Sequence, residues 1–269
     1  MIQKLIKSNK KPKSLLVVQS QFSDFDFFIK QYMKSIICDN GGCNQCKWCD
    51  KINNSQYFDA YFLDVKVKNI KKEEMINLIT KLYSNALESK NIKFLVIKNI
   101  DYASKHITNS LLKFVEEPPE STYMIFSTNN INNVIGTIRS RCFSIILPSQ
   151  INEVDKYLDN YNLSQFQKDI AKQCFNELDE LKNNINDFIE LFKFYEQLQN
   201  NDFFNFISDL FSEFKNFEYK KIKFLIRIVK FANSKDLIKY SEIENNLYLN
   251  TNKTLIFNEL LNILHKEDF

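Results

Sequence analysis

The chain has 269 residues, 44% hydrophobic and 14% aromatic with 25 Phe, which excludes a disordered chain because that much apolar surface offsets the entropy of ordering it. With 3 Gly and 4 Pro, against a combined average of about 12% of residues, Gly-rich β-sandwiches and Gly-dependent phosphate loops are disfavoured and helices should dominate. The net charge of +3 is too small to mark a nucleic-acid binder by itself, and no apolar run reaches the roughly 18 residues of a membrane span.

In chain order, the basic start from Met1 to Lys13 is followed by no apolar signal region, so an unexported, cytoplasmic protein is expected. Ser14 to Val18 (SLLVV) is a short apolar run of buried-strand type. Phe25, Phe28, Ile29, Tyr32, Met33 and Ile36 then recur at helical spacing over residues 25–37. Ala60 to Val65 reads as a second strand. Glu73 to Ser89 reads as a helix whose buried stripe is Ile76, Ile79, Leu82, Tyr83, Ala86 and Leu87. Lys93 to Ile100 is a third strand. His106 to Glu117 is a helix stopped by Pro118 and Pro119, which lack the amide donor and clash with the preceding turn. Tyr123 to Thr128 and Phe143 to Leu147 complete five strands, apolar throughout, as in a parallel sheet covered on both faces.

Beyond Pro148 the pattern is helical. Short helices are expected over 153–163, 164–175 and 177–185, with the Asn-rich patch 183–186 as a helix end. Longer amphipathic helices follow over 188–198, 203–214, 221–231 and 254–264.

Four of the six Cys fall together as Cys38-x4-Cys43-x2-Cys46-x2-Cys49, with Gly41 and Gly42 in the first gap, where a turn around a small ion needs positive backbone angles. Four thiolates close a tetrahedral shell, and zinc is the ordinary occupant of such a site; with no open position for water, its role is structural. The alternatives are free thiols, two disulfides, or a nucleic-acid-binding finger presenting Lys47, Trp48 and Lys51.

An α/β ATPase needs G-x-x-x-x-G-K-[ST] after its first strand. Here Gln19 to Asp26 contains no Gly, and Asp24 and Asp26 would repel a triphosphate. Lys98 and Asn99 stand at the end of the third strand, where acidic residues would hold magnesium. Both halves of a nucleotide site are therefore missing from positions that the strand–helix alternation identifies.

The segments LLKFVEEPPEST (Leu111 to Thr122) and Thr137-Ile138-Arg139-Ser140-Arg141-Cys142 resist a purely structural reading. Together with the cysteine insert, AYFLDV, KFLVIKNIDYA and YMIFSTNN, they give a sequence that resembles the delta prime subunits of the bacterial DNA polymerase III clamp loader, members of the AAA+ superfamily. The resemblance covers about Leu15 to Pro148. It implies an α/β AAA+-like module over 1–148 with a zinc insert at 38–49, a helical lid over 149–185 and a helical collar over 186–269. It also implies a subunit that binds no ATP of its own. Arg141 would be the arginine finger supplied in trans to a neighbour's ATP, with Ser140 orienting its segment. The implied partners are gamma/tau-type ATPase subunits and the delta subunit, and through the complex the sliding clamp and primed DNA, with no membrane. An ATP-hydrolysing motor with an atypical pocket and a zinc-dependent nucleic-acid-binding module are the rival readings. Glu116 and Glu117 read as interface or surface charges, His106 as a surface residue, and Cys142 as a small buried residue rather than a nucleophile.

Overall fold

The computed structural model describes residues 2–8, 10–67, 70–199, 203–233, 243 and 252–264. By its internal contacts the chain divides into two compact units, Met1–Gln150 and Ile151–Phe269.

In the first unit, β1 (Ser14–Gln19), β2 (Ala60–Asp64), β3 (Lys93–Lys98), β4 (Thr122–Thr128) and β5 (Phe143–Leu147) form one sheet in the order β2-β3-β4-β1-β5. Every pairing is parallel, with Leu15 level with both Ile125 and Phe143. Strand side chains alternate between faces, and both faces are apolar. Leu15, Val17, Phe94, Val96, Ile125 and Ile145 pack beneath α1 (Ile2–Lys7), α2 (Phe25–Ile37) and α3 (Lys47–Asn53). Leu16, Leu95, Ile97, Met124 and Phe126 pack beneath α4 (Lys72–Tyr83), α5 (Lys105–Glu116) and α6 (Gly136–Arg141). The short helices α1, α3 and α6 were not expected.

Helix α4 departs from expectation twice. It ends at Tyr83, and its buried side is Met75 and Leu82 with Leu78 and Ile79 partly buried, whereas Ile76, Tyr83 and Leu87 are exposed. The apolar arc thus keeps Ile79 and Leu82 of the expected stripe and swings toward Met75 and Leu78, by less than the roughly 100° of one residue. The end is fixed from a distance: buried Lys93 on β3 donates through Nζ to the carbonyls of Lys81, Leu82 and Ser84, supplying the cap that the local sequence lacks.

The second unit contains α7 (Ile151–Leu158), α8 (Gln165–Cys174), α9 (Leu178–Gln199), α10 (Phe203–Asn216), α11 (Tyr219–Ala232) and α12 (Lys253–Leu264). Its core is aromatic, with Phe175, Phe188, Phe194, Phe214 and Phe257 essentially inaccessible to solvent. Two helices were expected where α9 runs unbroken, so the boundary expected at residue 185 falls inside a helix. Ile185 is buried there and Asn184 donates to the Glu180 carbonyl one turn back, so packing overrides the loop preference of Asn. No helix among the described residues is long and apolar enough to cross a membrane.

Candidate functional site

The four cysteines come together at the C-terminal end of α2. Cys38 caps that helix, its N–H donating to the Lys34 carbonyl, and the chain turns back through Gly41 (φ +66°) and Gly42 (φ +105°), conformations that favour glycine. Asn44 (φ +60°) makes the next turn, Cys46 caps α3, and Cys49 lies buried in its first turn. The four Sγ atoms all lie within 4.8 Å of one another. The Cys38 sulfur is 3.6 Å from that of Cys43 and 3.8 Å from that of Cys46. These separations exceed the roughly 2.05 Å of a disulfide and match the roughly 3.8 Å edge of a tetrahedron with 2.3 Å metal–sulfur bonds. The donor set therefore fits a metal ion held by sulfur alone.

Electrostatics divides the cluster. Burial opposes ionisation of Cys38, but the backbone N–H groups of Cys43, Gly42 and Asn40 outweigh it and bring the thiol down to about 6. Cys46 is lowered chiefly by the Cys49 N–H, against burial. Burial pushes Cys49 up to about 12, and it would ionise only against a cation. Trp48, between two of the cysteines, is half-buried against the core and meets Tyr57 edge-on at 6.4 Å. Lys47 Nζ lies 4.6 Å and Lys51 Nζ 5.7 Å from the centroid of the same ring, so the three residues named for a finger surface sit together.

The sequence did not reveal what anchors this insert. Lys51 of α3 pairs with Glu88 at 2.8 Å, and Lys90 pairs with Asp39 at 2.7 Å, so two ion pairs tie the cysteine loop to the segment before β3. Asp59, 1% exposed, braces that segment by accepting from the backbone N–H groups of Leu87 at 3.1 Å and Glu88 at 2.6 Å. Asp59→Ala would strand the buried Glu88 N–H and the partly buried Leu87 N–H, and we expect a loss of about 2 kcal/mol in urea unfolding; a loss below ~1 kcal/mol would contradict that role. Buried Lys34 donates to Asn44 at 2.7 Å and Asn53 at 3.0 Å across the same loop.

The position of a phosphate cradle, between β1 and α2, presents carboxylates where a phosphate would need donors. The N-terminus of α2, which carries free N–H groups and a partial positive charge suited to an anion, is capped by the Asp24 carboxylate accepting from Phe27 N–H at 2.8 Å. Phe22 is buried in the preceding turn. Lys98, at the end of β3, pairs with Asp26 in the first turn of α2 at 2.6 Å. Asn99, in a left-handed conformation, donates to Asp64 at 2.9 Å. Two carboxylates and a neutralised lysine thus occupy the place where phosphates and magnesium would need donors and acids, respectively.

Arg141 ends α6, on the opposite face of the sheet from the cysteines. Ile138, fully buried, anchors this short helix. The Arg141 side chain is 39% exposed and pairs through Nη2 with Glu116 Oε1 at 2.8 Å. Its Nη1 donates to the Thr137 carbonyl at 3.2 Å and lies 3.4 Å from Ser140 Oγ. Ser140 Oγ also donates to the Thr137 carbonyl at 3.2 Å, so Ser140 and Arg141 close the last turn together. Glu116 had been read as an interface or surface charge; its pairing is tertiary and leaves no mark in the local sequence. Cys142 is half-buried, and burial pushes its thiol up to about 12, as suits an inert residue. His106 is exposed.

Comparison with known proteins places this geometry. Residues 1–150 match the family described as DNA polymerase III, delta subunit. Over 162 residues the chain is 28% identical to DNA polymerase III subunit delta' of Bacillus subtilis, covering 59% of this chain and 47% of that protein. Over 133 residues it is 32% identical to DNA polymerase III subunit gamma of Buchnera aphidicola, covering 46% and 36% respectively. The chain spans about half the length of the curated relatives it matches. A solved structure of a DNA polymerase III gamma subunit-related protein from Thermotoga maritima superposes with a TM-score of 0.57 at 13% identity, covering 100% of this chain and 99% of that one; it is a likeness of fold. With more than half of the chain matched, all of it within the first unit and its parallel sheet, this chain belongs to the DNA polymerase III delta-subunit family.

Proposed function

We propose that this chain is a delta prime-type stator of a clamp loader. It hydrolyses no ATP itself and offers Arg141 in trans to the ATP of a neighbouring gamma/tau-type subunit, in a cytoplasmic complex that includes a delta subunit and loads the sliding clamp on primed DNA. The observation that carries this reading is the chemistry at the phosphate position: Asp24 caps the helix end that would receive the triphosphate, and Lys98 pairs with Asp26 beside it. An exposed arginine at the end of α6 complements it. A finger stabilises the charge that develops in phosphoryl transfer, and the fixed donor fork of arginine suits phosphate oxygens better than a lysine does.

Zinc is the ion proposed for the cysteine site, held by Cys38, Cys43, Cys46 and Cys49. Bound there it would supply no reactive position; it would pin the loop between α2 and α3. The helices of 151–269 would serve as lid and collar.

Equilibrium binding of magnesium ATP to the isolated chain tests the reading. Affinity weaker than ~1 mM is expected. Micromolar binding with turnover would instead make this a motor subunit, like its gamma-named relatives.

A further inference from the structure

We infer that Glu116 is a positioning residue for Arg141, an inference that rests on the finger role proposed above and names the group that aims the finger. Each residue is the last of its helix, Glu116 of α5 and Arg141 of α6. The two helices are seated on the same core by Leu111, Phe114 and Ile138, so their ends are fixed relative to each other. The carboxylate holds Nη2 at 2.8 Å from one side. The last turn of α6 holds Nη1 from the other, through the Thr137 carbonyl at 3.2 Å.

An arginine loose in solvent samples many rotamers, and ordering it during reaction would add to the barrier. Here that ordering is done before a neighbour arrives. The guanidinium has five N–H donors, so these contacts leave donors for phosphate oxygens. Both side chains are substantially exposed, at 39% and 45%. Exposed pairs contribute little to stability, so the fold has no need of Glu116 and the contact can yield to a phosphate. Its value lies in direction.

The test uses the full chain assembled with a P-loop-bearing gamma-type subunit, measuring ATP hydrolysis for wild type, Glu116→Ala, Glu116→Gln, Arg141→Ala and the Glu116→Ala/Arg141→Ala double variant. We expect Glu116→Ala to lower kcat about tenfold with KM for ATP unchanged. Glu116→Gln, which keeps an acceptor, should recover most of that loss. On the Arg141→Ala background, Glu116→Ala should cost nothing further, because its effect passes through Arg141. A Glu116→Ala complex as fast as wild type while Arg141→Ala is crippled would overturn the inference and leave the finger standing. The same loss from Glu116→Ala in both backgrounds would also overturn it. If Arg141→Ala itself left the rate unchanged, the finger reading would fail first and the positioning role with it.

Discussion

Replacing Cys46 by Ser, or stripping the metal with a chelator, is expected to release one equivalent of zinc and to lower the melting temperature by about 10 °C. Metal binding by a site with no preformed counterpart in the unfolded chain is folding free energy, and its loss belongs to the class of changes costing more than ~4 kcal/mol. At about 2–4 °C per kcal/mol for a chain of this size, the shift is easily measured by calorimetry. The damage should be local first. With the metal gone, buried Cys49 regains a proton and the turns at Gly41, Gly42 and Asn44 lose the centre that closes them. The ion pairs Lys51–Glu88 and Lys90–Asp39 then lack one rigid partner each. Protease nicking should therefore begin between residues 38 and 53 while the sheet persists. Cys142→Ser is the control, since that thiol lies outside the cluster. Unchanged metal content and melting temperature after Cys46→Ser would show that the four sulfurs hold no ion.

Arg141→Ala is expected to lower the steady-state ATPase of the assembled loader by about 10³-fold, the lower end of what a finger supplied in trans contributes, equivalent to about 4 kcal/mol of barrier. Arg141→Lys should recover only part of this, because an ammonium keeps the charge but not the planar fork. Stability should scarcely move in either variant. The pair that Arg141 makes with Glu116 is at the surface, and such pairs are worth ~0–1 kcal/mol. A large change in rate with a small change in melting temperature separates a functional arginine from a structural one.

The sheet and the cysteine site were legible in the sequence because both are written locally. Runs such as SLLVV and FSIIL carry the strands, and the x4, x2, x2 spacing with two glycines carries the metal loop. The end of α4 was not legible, because the lysine that caps its last carbonyls arrives from β3. Nor was the continuity of α9, where Ile185 is buried by tertiary packing amid asparagines that would favour a break in isolation. At the nucleotide position the sequence showed what was missing, the glycines and the acidic pair. The fold added what stands there instead, the Asp24 cap and the Lys98–Asp26 pair. Arg141 could be singled out only through its surrounding motif; its partner Glu116, 25 positions earlier in the chain, becomes visible once α5 and α6 are packed side by side.

As proposed, this chain completes a nucleotide site belonging to another subunit. Single-turnover hydrolysis in the assembled complex, with ATP already bound to the gamma-type neighbour, isolates that step from binding. With Arg141→Ala that rate should be about 10³-fold slower, while the neighbour retains its affinity for ATP. Equal single-turnover rates with and without the Arg141 guanidinium would contradict it.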